Sequence, residues 1–155
     1  MNRVDIQFGE TGIISDKNAS AKKIRMLCSR IFDILSIMNW ELSLVICNDS
    51  FIKNLNRDFR GKDEPTDVLS FPQIDNSFPV QEDGTVYAGD IIISTETLIK
   101  NSEKFKVDIN EEFIRLLIHG ILHLKGFTHS DNSPEQEMLI LQEDILKKFT
   151  GVEIF

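Results

Sequence analysis

The chain has 155 residues, of which 41% are hydrophobic and 27% are charged, as expected for a globular protein with its own core. No apolar segment is long enough to span a bilayer, and the N-terminal segment lacks the apolar stretch of a signal peptide. We therefore expect one domain over residues 1–155, in the cytoplasm and without a membrane partner. The net charge of −8 excludes a general nucleic-acid coat protein, because neutralising phosphates requires clustered lysine and arginine. The two cysteines, Cys28 and Cys47, are expected to be buried free thiols.

Strands and helices alternate in the first part of the chain. Apolar residues at every second position predict strands at 4–8 and 40–46. Between them, apolar residues at helical spacing predict a long amphipathic helix over 20–38. Asn48 is a suitable N-cap for a short helix that runs towards Phe59. These elements give the first half of the predicted fold.

The middle of the chain is expected to supply an edge strand and a buried strand. Residues 67–71 lie between two prolines, and proline lacks a donor for the sheet, so this segment is predicted to be an edge strand. A polar connection is predicted over 73–87. Gly89 and Asp90 are then predicted to form a turn that leads into a buried strand at 91–93.

Helices dominate the C-terminal half. Asp108 and Glu111 form a capping box that opens a strongly apolar helix. Ser133, Pro134 and Gln136 have the pattern of a second helix start, with proline at the first helical position. Because strands come early and helices crowd the end, the sequence predicts an α+β fold, with a small mixed four-stranded sheet and about five helices.

All three histidines lie within the segment HGILHLKGFTH. His119 and His123 are four residues apart on the apolar helix 109–124, so they project from one face. Gly126 allows the chain to leave the helix and fold back, which brings His129 towards the same ion. Three neutral histidines leave a fourth tetrahedral position for water, as in catalytic zinc sites. Zinc is the preferred ion for these nitrogen ligands, although nickel or copper would also accept them.

The spacing H-x-x-x-H-x-x-G-x-x-H is that of the metzincin proteases, whose catalytic glutamate follows the first histidine. Gly120 stands at that position and cannot act as the base of peptide hydrolysis. A phosphodiester is a better candidate substrate, because phosphoryl transfer depends mainly on positioning and charge stabilisation. Two alternatives stay open: a metal-dependent hydrolase of another substrate, and a binding protein whose metal only stabilises the fold.

A short basic strip interrupts the acidic sequence. It contains Lys53, Arg57, Arg60 and Lys62 against a single acidic residue, Asp58. Such a strip can create a positive cleft on an acidic protein. A solvated helix face would explain the same pattern.

Three blocks of the sequence resemble the YbeY family of bacterial endoribonucleases. They are NRDFRGKDEPTDVLSFP at 56–72, AGDIIIS at 88–94 and HGILHLKGFTH at 119–129, and the resemblance covers about residues 50–149. It implies a metal-dependent enzyme with a metzincin-like metal helix that cuts single-stranded RNA. It also implies a role in maturing the 3′ end of small-subunit ribosomal RNA and in ribosome quality control, with ribosomal RNA and the ribosome as partners rather than DNA.

The same resemblance implies roles for individual residues. Three histidines are expected to hold one zinc ion: His119, His123 and His129. Arg60 is expected to lie in the cleft and to clamp the scissile phosphate bidentately, stabilising the charge that develops there. Arg57 and Lys62 are weaker candidates for contacts with neighbouring phosphates.

One segment departs from the family pattern. The family usually has Gly-Tyr-Asp-His where this chain has Gly126, Phe127, Thr128 and His129. A carboxylate beside a ligating histidine would raise its basicity, so its replacement by threonine is expected to weaken metal binding. Asp131 is a candidate to compensate, which its spacing alone does not decide.

Overall fold

The computed structural model describes residues 1–73, 80–129 and 136–155. Its sheet has four strands, β1 (Arg3–Phe8), β2 (Trp40–Cys47), β3 (Val68–Pro72) and β4 (Val86–Ser94). Their order is β1-β2-β4-β3, in which β1, β2 and β4 are parallel and β3 is antiparallel to β4 at the edge. The predicted mixed sheet and the edge position of the proline-bounded strand are therefore confirmed.

The described part of the chain contains the five predicted helices. They are α1 (Lys17–Ile34), α2 (Asp49–Arg60), α3 (Thr95–Phe105), α4 (Ile109–Leu124) and α5 (Glu137–Leu146), and a 3-10 turn (Lys147–Phe149) follows the last one. These elements confirm the α+β class. In this part of the chain, no helix combines the length and apolar character needed to cross a membrane.

Helix α1 begins and ends earlier than its predicted range of 20–38. Asp16 caps its first turn, with the side chain accepting a hydrogen bond from Ala19 N at 3.0 Å. Beyond the C-terminal end, Ser36 and Asn39 have φ angles of 55° and 60°. These left-handed residues interrupt the helix, although the apolar spacing continues.

The predicted turn at Gly89 and Asp90 is wrong, because both residues lie inside β4. The pairing with β2 skips one residue between Tyr87 and Gly89, which is a bulge. Gly89 has a φ of 141°, and a Cβ there would collide with the carbonyl oxygen of Phe71 and lie 2.9 Å from Leu124 Cδ2. The glycine is thus required by the close approach of β3 and α4, rather than by a turn.

The predicted start of the last helix is also wrong at Gln136. This residue is the N-cap of α5, with an extended backbone and no side-chain capping bond, and the helix begins at Glu137. Ser133 and Pro134, together with Asp131 and residues 74–79 of the predicted polar connection, lie outside the described residues.

The sheet packs against helices on both faces. The main core joins one face to α1, α4 and α5, and α4 alone contributes eight of its residues, as expected for a central helix. A smaller cluster on the other face joins α2 to the sheet through Ile52, Leu69 and Ile92. Cys28 and Cys47 are free and buried, as predicted.

Candidate metal centre

The local structure of α4 presents two histidines and then reverses the chain. Asp108 caps its N-terminus, with the carboxylate accepting from Asn110 N at 2.9 Å. At the C-terminal end, Gly126 N donates to His123 O and Phe127 N donates to Leu122 O, both at 3.0 Å. This pair of bonds is a Schellman motif, and the φ of 105° at Gly126 is the left-handed conformation that the motif requires.

The reversal brings the three predicted ligands together. The candidate ligand atoms of His119, His123 and His129 all lie within 4.8 Å of one another. Their ring centroids are 4.5 to 5.4 Å apart, and all three side chains are half-buried. The arrangement could hold one metal ion.

The hydrogen bonds of two rings define which nitrogen faces the centre. His119 Nδ1 lies 2.7 Å from Gln142 Oε1, and His123 Nδ1 lies 3.0 Å from Phe127 O. Both partners are acceptors, so each Nδ1 carries the proton and each neutral ring directs an Nε2 lone pair inward. The two Nε2 atoms are 3.0 Å apart.

Facing lone pairs at this distance repel each other unless a cation lies between them. Two nitrogens bound tetrahedrally to zinc, at its usual bond length, would be separated by about 3.3 Å. The donor set and its spacing therefore fit a transition-metal ion.

The environment also favours the ligating form of the rings. Burial, followed by the neighbouring imidazoles His119 and His129, lowers the pKa of His123 to about 4, and the charge of Arg60 adds to this effect. Burial likewise lowers the pKa of His119, against an opposing contribution from Gln142. Both rings are consequently neutral at pH 7, so a metal does not have to displace a proton from their Nε2 atoms.

A chain of side chains holds the acceptor of His119 in place. Gln142 Nε2 donates to Glu143 Oε2 at 3.1 Å, so its Oε1 is directed at the ring of His119. Arg115 in turn donates to Glu143 through Nε at 3.0 Å, and to Glu112 Oε2 through Nη1 at 2.6 Å. This support was not predictable from the sequence, where these residues are only polar positions on two largely apolar helices.

Arg60 is joined to the edge strand of the sheet. It is the last residue of α2, and its Nη2 donates to Ser70 O on β3 at 3.3 Å. Its positive charge contributes to the lowered pKa of His123. Of the two weaker candidates, Arg57 pairs with exposed Asp58 at 3.1 Å, and Lys62 is exposed in the turn after α2.

Comparison with known proteins identifies the family. The family model described as Endoribonuclease YbeY matches residues 7–150. The chain belongs to the YbeY family. A relative from Treponema denticola named Endoribonuclease YbeY is 50% identical over 133 residues, covering 86% of each chain. A YbeY relative of the same name from Treponema pallidum (strain Nichols) is 56% identical over 124 residues, covering 79% of this chain and 76% of its own.

A solved structure shares the fold of this chain. The solution structure of a Thermotoga maritima protein matches with a TM-score of 0.62 and 27% identity, covering 94% of this chain and 87% of that one. The family model and the relatives confirm the resemblance seen in the three sequence blocks, and the candidate metal centre lies in the last of them.

Proposed function

We propose that this chain is a metal-dependent endoribonuclease, with residues 1–155 forming one YbeY-like domain. The observation that carries the proposal is the convergence of three imidazoles in a chain whose relatives are named endoribonucleases. The proposed ligands are His119, His123 and His129. Zinc is the proposed ion because it suits three neutral nitrogen ligands, and nickel or another transition metal is compatible with the same set. When bound, such an ion supplies a Lewis acid that activates water and polarises a phosphoryl oxygen.

Arg60 is the proposed catalytic partner of the metal centre. Its guanidinium has five N–H donors in a planar fork. The bond to Ser70 O uses one N–H of Nη2 and fixes the plane of the fork, so two of the remaining N–H groups can bind two oxygens of a scissile phosphate and stabilise the developing charge. Arg57 and Lys62 would contact phosphates on either side.

The environment of Gly120 supports a phosphodiester substrate over a peptide. A Cβ at this position would lie 2.9 Å from Ile91 Cδ1 and 3.0 Å from Ile91 Cγ2. Position 120 therefore faces the core rather than the imidazoles, and a glutamate could not enter there without displacing Ile91. Phosphoryl transfer can instead rely on positioning and charge neutralisation.

The proposed substrate is single-stranded RNA, and in particular ribosomal RNA. The family resemblance supports a role in maturing the 3′ end of small-subunit ribosomal RNA and in ribosome quality control. The proposed partners are therefore ribosomal RNA and the ribosome in the cytoplasm, without a role for DNA or membranes.

Removing one ligand tests the proposal. The wild-type protein should contain about one metal ion per chain by elemental analysis and should cut single-stranded RNA, and a chelator should stop the cutting. His123→Ala should lose both the metal and the cleavage, because two imidazoles hold an ion far more weakly than three. Full cleavage by metal-free His123→Ala protein would contradict the mechanism.

The alternative, an RNA-binding assembly factor with a structural metal, makes a different prediction for Arg60. If Arg60 only binds RNA, Arg60→Ala should weaken association without changing the product formed per complex. If it stabilises the transition state, Arg60→Ala should lower the rate at saturating RNA roughly 100- to 1,000-fold. Single-turnover kinetics separate the two functions.

A further inference from the structure

Two phenylalanines from separate elements meet at the surface beside Arg60. Phe59 in the last turn of α2 contacts Phe71 of β3 edge to face, with ring centroids 5.5 Å apart and ring planes at 64°. Phe71 is half-buried and packs on the smaller core cluster, whereas Phe59 is 69% exposed. The pair thus presents an aromatic ring to solvent from a braced position, which neither residue's sequence context indicates.

The pair lies next to the proposed phosphate clamp. Phe59 precedes Arg60 in α2, and Phe71 follows Ser70, whose carbonyl accepts from Arg60 Nη2. Two successive contacts therefore join the end of α2 to the edge strand, one aromatic and one polar. Because Phe59 and Arg60 are consecutive and their contacts fall on consecutive residues of β3, a nucleotide that is bound by Arg60 through its phosphate would have its base close to this ring.

The surrounding charge favours a nucleic acid over an apolar peptide as the occupant. Four basic residues, Lys53, Arg57, Arg60 and Lys62, lie on α2 or directly after it, with Asp58 as the acidic residue between positions 53 and 62, and Asp63 and Glu64 follow the last of them. A positive strip with an exposed aromatic ring is the combination by which proteins bind single-stranded nucleic acids. The strip attracts the backbone, and the ring accepts a base.

We propose that Phe59, braced by Phe71, is a stacking platform for one RNA base adjacent to the phosphate held by Arg60. The inference rests on the proposed endoribonuclease function and adds the source of its preference for single strands. In a duplex each base is already stacked between its neighbours, so it cannot cover the ring without leaving the helix. Stacking accepts any base, so the platform contributes affinity with little sequence preference.

Initial-rate cleavage by the full, zinc-loaded chain tests the platform. Phe59→Ala should raise KM for a short unstructured RNA roughly 5- to 150-fold, the range found when one stacking contact is lost. The turnover number should change much less. Phe51→Ala is the matched control, because Phe51 is also exposed and lies two helical turns earlier in α2, and its KM should equal that of the wild type.

An abasic scan of the RNA identifies the base involved. Wild-type protein should lose affinity when one particular base next to the cleavage site is removed. Phe59→Ala protein should bind the abasic and the intact RNA equally well, because the substitution and the base removal delete the same contact. Phe59→Leu keeps an apolar side chain against Phe71 but has no aromatic face. It should therefore raise KM as Phe59→Ala does, and it remains a valid test if the alanine variant folds poorly.

The outcomes separate this inference from the function on which it rests. An unchanged KM for Phe59→Ala and Phe59→Leu, or losses that simply add across the abasic scan, would overturn the platform while leaving the nuclease intact. Zinc-loaded wild-type protein that cuts no RNA would overturn both.

Discussion

The side chain of Gln142 offers a sensitive test of how the protein prepares His119 for a metal. Its Oε1 lies 2.7 Å from His119 Nδ1, and Gln142 is only 6% exposed. Gln142→Leu removes this acceptor. In the tautomer that binds a metal, in which the proton is on Nδ1, the buried N–H group of His119 then has no partner. Leaving such a group unsatisfied costs about 1–3 kcal/mol.

The ring can avoid that cost by moving its proton. If the proton transfers to Nε2, it points at His123 Nε2, which is 3.0 Å away, and a hydrogen bond then forms where the ion should bind. Metal binding requires the proton to return to Nδ1, so the cost of the unsatisfied N–H group appears as lost metal affinity. A loss of about 1.4–2.7 kcal/mol corresponds to the 10- to 100-fold effect typical of residues that support metal ligands.

Competition with a chromophoric chelator measures this affinity directly. Gln142→Leu is expected to bind zinc about 10- to 100-fold more weakly than the wild type, while Gln142→Glu, which keeps an acceptor oxygen, should retain most of the affinity. Thermal unfolding of the metal-free proteins controls for global damage. Equal zinc affinity in the wild type and in folded Gln142→Leu protein would refute the proposed role of Gln142.

Three further outcomes are expected. Gly89→Ala should reduce the free energy of unfolding in urea by about 1–3 kcal/mol, because its φ of 141° is strained for alanine and its Cβ meets Phe71 O. Gly120→Glu should also be less stable, through overpacking against Ile91, and should cut nothing in a peptide library. Burial holds the pKa of His123 in the folded protein at about 4, below the unfolded value of about 6.5. The neutral ring of His123 therefore contributes to the free energy of unfolding of the metal-free protein above pH 6.5, and this contribution is lost as the pH falls towards 4. His123→Asn should therefore show a smaller fall in melting temperature over this range.

The spacing of the histidines was enough to predict that the three rings of the candidate metal centre come together. Two residues four apart on a helix share a face whatever surrounds them, and Gly126 signalled the reversal that brings His129 back. These features depend on local backbone geometry, so they can be inferred from a short segment. The prolines around β3 were informative for the same reason, since a missing donor is a local property.

Features created by long-range packing were not predictable in this way. Gln142 supports His119 only because α5 packs against α4, and glutamine at that position suits an exposed helix surface equally well. Gly89 has the same preference for positive φ in a turn as in a bulge, so only its pairing with β2 distinguishes the two. Phe59 and Phe71 likewise show no relationship until α2 is placed beside β3.

The hydrogen bond between Arg60 and Ser70 O has a consequence for solubility as well. A strand at the border of a sheet offers unpaired carbonyls and amides to any other extended chain, which is a common route to aggregation. The charged side chain of Arg60, which is hydrogen-bonded to Ser70 O of β3, obstructs such self-association. Changes at Arg60 that are made to study catalysis would therefore also expose this border, and sedimentation behaviour would reveal it independently of any assay with RNA.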